Sequence, residues 1–436
     1  MKTVTTSNLT QHAKPLSFRQ SLMMLASATV VTLSLSAPSY AQSNDVDGFN
    51  GFTFNCSTPA ITSSTTNSRF NNDVSGSSHC IEDVSFNNSI TGSNNTLGES
   101  TRNNDVSGSS NSIGNNSSDN SVTGMVNTLG TNADRNNVSG IGNNIGADSS
   151  ENIVGGGNNS LGNNNSSNIV GGGSNTLGDD NDHNIIGGIS AQVGADNISN
   201  FVSGVGQAIG DDNSSNIITG TFSTLGNDNR SNSINGSNNN IGNENENNII
   251  SGFLNGVGNS NNSNSVNGRF NTLGDDNFSN SVNGTRADLG NDNSNNVISG
   301  SNNNIGDQNE SNIISGSAND VGNENENNII GGFINDVGNS NNSNSVNGLL
   351  NTLGDDNRSN SVNGISVDLG NSNSGNNVSG SNLNIFDNNS NNVISGINNN
   401  IGDQNESNII SGFITVSYTH LRAHRDQRGS RMPSSA

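Results

Sequence analysis

From Gly76 to Gly412 a glycine returns every 16 residues, 22 times over, without an insertion or a deletion. Asparagine stands four residues before each of these glycines, from Asn72 through Asn264 to Asn408, and Val or Ile stands two before, as at Val74, Val266 and Ile410. A second aliphatic follows five residues later, as at Ile81 and Leu273, usually with another glycine behind it such as Gly274. A coil stacked on its neighbours cannot change length without breaking the ladder on both sides. A period held this strictly therefore predicts a solenoid.

The unit is read most easily in residues 259–274, NSNNSNSVNGRFNTLG. Asn264, Val266 and Gly268 alternate with Ser265 and Asn267, and Asn271 and Leu273 flank Thr272, which is the period of two of short strands. The glycines permit positive φ at two corners, and the Asn/Asp/Ser run after Gly274 is turn chemistry. No proline interrupts the chain between Pro59 and Pro433, as strands that donate ladder hydrogen bonds require. The expected fold is all-β: a parallel β-solenoid of about 21 coils, each of two short strands and two bends, rising about 4.8 Å per coil to roughly 100 Å. If Asn264 points inward beside Val266 and Leu273, its amide must use both donor and acceptor, and stacked amides can do so along the axis. A second column, unbroken from Asn165 to Asn405, is expected to cap the turn. Ile153, Ile169, Ile185, Phe201 and Ile217 place an apolar residue on the other side of the strand in five successive coils. That stripe reads as a subunit contact or as a local widening of the core.

Taken in order, residues 1–41 read as an export signal. Lys2, Lys14 and Arg19 precede an apolar run over 22–35, and Ser39-Tyr40-Ala41 offers a cleavage site. Residues 42–67 lack the repeat and are expected to cap the first coil. In an exported chain with two cysteines, Cys56 and Cys80, a disulfide tying cap to solenoid is the economical expectation. The repeat fills 68–415, where 243–290 and 323–370 match after a shift of 80 residues, pointing to duplication in five-coil blocks. Residues 416–436, beginning VSYTHLRAH, change composition abruptly and resemble a translated sequencing adapter. The natural C-terminus is accordingly expected to differ from this one.

Between residues 42 and 415 there are seven arginines, no lysine and 36 acids, a balance that disfavours nucleic acid and anionic lipid. Asp180, Asp196, Asp212, Asp228 and Glu244 share one turn position in five successive coils. Carboxylates stacked about 4.8 Å apart repel by roughly 0.9 kcal/mol per pair even in water. They read either as a solvated acidic edge or as a calcium column, with Asn and backbone oxygens completing the hard ligands. Catalysis finds little footing: His79 and His183 lie in different coils without a triad or metal-ligand pattern, and Asp275-Asp276 or Asp355-Asp356 are adjacent and do not face each other across a substrate. The chain is expected not to be an enzyme.

Units such as NSVNG and NVSG, each followed by an Asn-x-aliphatic-Gly segment, resemble the head repeats of YadA-like trimeric autotransporter adhesins over about residues 68–415. The 16-residue length departs from the shorter common head repeat. The resemblance implies left-handed β-rolls, three chains side by side, on the outer membrane of a bacterium, binding host matrix or cell surfaces. It carries no binding residue over to a position in this chain. A spacer or biofilm-matrix shaft, an ice-binding solenoid and a disordered Asn-rich chain are the other readings of the same composition.

Overall fold

A computed structural model of the protein describes residues 72–77, 79–82 and 84–417, all within one compact unit, Gly51–Ala436. Those residues form a parallel β-solenoid of about 21 coils with a 16-residue turn. Every register pairs a residue with the one 16 further on, as Ser265↔Ser281 and Val266↔Val282. No helix among the described residues is long and apolar enough to cross a membrane. The last strand takes in Val416 and Ser417, paired with Asn400 and Ile401, two residues beyond the expected end of the repeat.

Each coil has three ladders, where the sequence pattern predicts two. In the coil of residues 261–276 a five-residue strand, Ser265–Arg269, is followed by a two-residue strand, Thr272–Leu273. A one-residue bridge at Asn262, paired with Glu246 below and Phe278 above, closes the third side. Three bends separate them, at Ser263, Phe270 and Asp276, all in the left-handed region with φ of 61°, 58° and 57°. A single bridging residue has no period of its own, so nothing in the local pattern announces it.

The core is more amide than hydrocarbon. Each coil turns in two aliphatics, here Val266 and Leu273, 0% and 1% exposed, and up to three asparagines, here Asn261, Asn264 and Asn271, equally buried. Burying so many amides is tolerable because nearly all are hydrogen-bonded, although the Nδ2 groups of Asn213, Asn293, Asn341 and Asn373 in the second column find no partner among the described residues. Asn264 Nδ2 donates to Asn248 Oδ1 at 3.1 Å and to the Asn277 carbonyl at 2.8 Å. Its Oδ1 accepts from the backbone N–H and Nδ2 of Asn280 at 2.8 and 3.1 Å. The inward amide ladder expected from the sequence is therefore present. In the second column Asn277 Nδ2 donates to Asp275 O inside its own turn and to Gly290 O of the next coil, so it ties the turn and the coil interface together.

The third amide fixes the corner between the two strands. Asn271 Nδ2 donates to Asn267 O at 2.7 Å and to Gly284 O at 3.2 Å. Val367 and Leu383 stand in its place in two coils whose strands run together as Ser361–Leu369 and Asn377–Ile385, whereas around Ala191 and Ala287 the two strands stay separate. His79 fills the position in the first coil; its Nδ1 accepts from the Asn95 backbone N–H at 3.4 Å, which leaves Nε2 to donate to Ser75 O at 3.0 Å.

The stripe from Ile153 to Ile217 lies on the outer side of the long strand, with Ile153 and Ile169 38% and 37% exposed and the alternate residues Val154 and Val170 inside. Widening of the core is thereby ruled out. Cys80 is buried and is not a free thiol, while Cys56 lies outside the described residues, as do the expected export signal and cap.

Candidate functional site

The acidic turn is built by the backbone. At the residue after the second glycine, Asn or Asp recurs, and its Oδ1 accepts the backbone N–H of the matching residue one coil below. Asp275 Oδ1 accepts from Asn259 at 2.6 Å, and Asp275 N–H in turn donates to Asn291 Oδ1 at 2.7 Å. Asn or Asp suits the position because a short side chain with an sp² oxygen reaches that N–H, a bond that Ala147 and Ala195 in the same column forgo.

Asp180, Asp196, Asp212, Asp228 and Glu244 occupy the next position, each exposed and each at a φ of 57–59°. Their backbone N–H groups donate to carbonyls of the coil below, Asp212 to Ala195 O at 3.1 Å and Glu244 to Asn227 O at 3.0 Å, so the five carboxylates stack as the sequence suggests. Desolvation, then Asp196, Asp228 and Asp211, hold the Asp212 carboxyl above the ordinary aspartate value. Stacking alone does not make a cation cage. Among the described residues no group of three or more His, Cys, Asp or Glu converges to hold a metal ion, and the turn carbonyls nearest the column already accept backbone N–H groups.

On the short-strand face Asp336 registers directly with Asp320. Desolvation first, and Asp320 second, raise its pKa above 3.8; desolvation alone does so for Asp368. A carboxyl whose folded pKa is raised favours the fold most below the unfolded value and loses that contribution as pH rises through the folded one. Asp336→Asn is therefore expected to raise stability at pH 7 by a few tenths of a kcal/mol, after solvent screening. The gain should vanish at pH 3; equal denaturation midpoints for variant and parent at both pH values would contradict it.

A second exposed feature follows the long strand. At the bend two residues after the column glycine most coils place Asn, Ser or Gly, which tolerate a left-handed backbone. Phe222, Leu254, Phe270, Ile334, Leu350 and Ile414 take the same positive φ, between 53° and 60°, and remain 39–63% exposed. A bulky or β-branched residue there is strained and stays largely exposed, so burial offsets little of its cost. Phe253 and Phe270 meet edge to face at 5.7 Å, with the Arg269 guanidinium 5.7 Å from each ring and Arg286 5.7 Å from Phe270. Phe253-Leu254, Phe333-Ile334 and Phe413-Ile414 recur at 80-residue spacing. The recurrence is visible in the sequence; the strain that sets it apart is not.

Little else is equipped for chemistry. A shallow groove along the short-strand face is lined by Gln192, Ala208, Thr224 and Asn240 over Val193 and Ile209, without a titratable group. His183 lies exposed, its Nδ1 2.7 Å from Asp182 Oδ1.

No protein-family model and no curated protein matches this sequence. Among solved structures, the chain is similar at 12% identity and a TM-score of 0.10 to the UDP-N-acetylglucosamine O-acyltransferase LpxA from Moraxella catarrhalis RH4, over 44% of this chain. The match spans 62% of that enzyme, less than two thirds of its length, and at that score it carries nothing across to this protein.

Proposed function

We propose that this protein is an exported, non-enzymatic bacterial surface adhesin whose solenoid is the head or shaft, displayed as a homo-oligomer and binding host matrix, cell surfaces or abiotic surfaces. One observation carries the reading: apolar residues held exposed in a strained backbone at one corner, recurring along the stack. Such residues cost stability and gain it back only in contact with something else. The arginine–phenylalanine cluster at Phe253, Arg269 and Phe270 adds positive charge and aromatic faces to an otherwise acidic surface, a combination suited to glycan or matrix contact. The export signal expected at residues 1–41 and the resemblance to trimeric adhesin heads support this reading, and the trimer is what that resemblance implies.

The test replaces Leu254, Ile334 and Leu350 by Asn, the residue found at this bend in other coils. Asn relieves roughly 1 kcal/mol or more of left-handed strain per site. The triple variant should melt at or above the parent temperature, yet attach to immobilised matrix proteins or glycans at least tenfold less. Unchanged attachment would remove the corner from the site. A second reading, a spacer shaft, is favoured by the gapless five-coil duplications; it is supported if shortening by one 80-residue block changes reach but not attachment.

A further inference from the structure

We propose that two copies of this chain pair side by side, parallel and in register, through the outer face of the five-residue strands. On that face each coil presents three side chains, those of Ser265, Asn267 and Arg269 in the coil described above. Through 22 coils only Asp73, Asp105 and Arg269 are charged at these positions, on a chain of formal net charge −23. The short strands carry Asp288, Asp320, Asp336 and Asp368 outward, and the bridge column carries Glu246, Glu310 and Glu326. Two acidic copies can therefore approach along the whole long-strand face with almost no like-charge repulsion, whereas the short-strand face turns acidic from Asp288 on and the bridge column mixes Arg102, Arg230 and Arg358 with its acids. Side chains on the face also satisfy one another, Asn267 Nδ2 donating to Ser265 Oγ at 2.9 Å and Thr219 Oγ1 to Asn235 Oδ1 at 3.1 Å, which lowers the cost of removing water.

Shape selects the arrangement. Gly155, Gly171 and Gly187 form the middle column beside the Ile153–Ile217 stripe, outside the left-handed region. A Cβ added at Gly171 or Gly187 would meet nothing within 4 Å, so neither the backbone nor packing inside the chain asks for glycine. With no bulge or bend at these positions, the use left for glycine within a strand is the close approach of a ligand or of another backbone. A two-fold axis along the stack, over this middle column, sets the first outward position of one copy opposite the third of the other. Ile153 and Ile169 then lie over Gly157 and Gly173 of the second copy, and Ile185 and Phe201 meet its Ile189 and Val205. An axis across the stack would instead press isoleucine ridge on isoleucine ridge and leave the glycine floor empty.

Area requires the pairing to run the length of the stack. Five coils offer roughly 300 Å², from about 24 Å of stack and about 13 Å of strand. A stable interface needs about 800 Å² per partner, and 22 coils supply roughly 1,300 Å². A ring of three needs two different patches on each chain, whereas a single self-complementary face closes as a pair, so this pairing departs from the trimer that the resemblance to adhesin heads implies.

The experiment is sedimentation equilibrium of the full chain and of Gly171→Glu/Gly187→Glu, with Gly256→Glu as control. Gly256 lies on the short-strand face and also has nothing within 4 Å of an added Cβ, so all three proteins should keep the same far-UV circular dichroism. The parent and Gly256→Glu are expected to be dimers and the double variant a monomer. A Gly171→Cys variant should cross-link to itself on oxidation, since only the parallel register brings residue 171 to its own copy. A monomeric or trimeric parent, a double variant that remains dimeric, or a Gly171→Cys chain that fails to cross-link would overturn the proposal. It stands on the solenoid alone, so loss of attachment without loss of the dimer bears on the adhesin reading and leaves this one intact.

Discussion

Gly268→Ala is expected to split the stack. Gly268 sits at φ 117°, and a Cβ there would lie 1.9 Å from the carbonyl oxygen of Gly284 in the next coil. Backbone on both sides leaves no flexible atom to move aside. The coil must open, and because each coil is held only by its neighbours, the loss passes to both interfaces. A cost above about 4 kcal/mol is expected, at the far end of what single substitutions do. Limited proteolysis should give two fragments divided near residue 268, with faster amide exchange in the flanking coils. The same change at Gly256, where an added Cβ meets nothing, should cost less than about 1 kcal/mol and give no such cleavage. Identical digestion of the two variants would refute the account of the glycine column.

The second large effect is expected from Asn264→Asp. The carboxylate would still accept from the Asn280 N–H and Nδ2, but its other oxygen would face Asn248 Oδ1 and the Asn277 carbonyl, both acceptors, where Nδ2 donates in the parent. A buried charge set against two acceptors is expected to cost about 3–5 kcal/mol at pH 7. Burial and the opposed oxygens raise the folded pKa of this aspartate above its unfolded value of about 3.9. Below that value both states are protonated, the O–H replaces one of the two lost donors, and the cost falls to about 1 kcal/mol. As pH rises from there through the folded pKa, the unfolded chain holds fewer protons than the folded one and stability declines. Denaturation midpoints of variant and parent, compared between pH 3 and 8, should therefore diverge with increasing pH. A constant difference would show that the ladder does not rely on the amide as a donor.

Both effects arise from positions that recur in every coil, and such positions are legible in the amino-acid sequence itself. The glycine column, the Asn264 column and the aliphatic pair Val266 and Leu273 are fixed by the need of each coil to repeat the last, so they leave an unbroken mark at a spacing of 16. The third amide column is fainter because His79, Ala191, Gln207, Ser223, Ala287, Val367 and Leu383 interrupt it: each fits the same lumen, at the loss of the corner bonds or part of them. The acidic turn is legible as a column of charge, but the reason for an Asn or Asp beside it, an N–H one coil away, is not.

Sequence alone determined the period, the strand alternation, the parallel stacking and the inward asparagines, because each follows from what a residue and its image 16 positions on must share. Only the tertiary structure decided the third ladder at Asn262, the left-handed backbone at Phe270 and Ile334, and the outward face of Ile153. The 16-residue phase puts Val154 in the column of Val266 and Ile153 on the other side of the strand, but alternation does not say whether that side faces solvent or a widened core. The coil closes with Val154 buried and leaves the other side of the strand to solvent, with Ile153 38% exposed. Local sequence carries the preferences of a residue, whereas the stack imposes a conformation on it; where the two disagree, as at Phe270, the disagreement becomes visible only once the coil has neighbours.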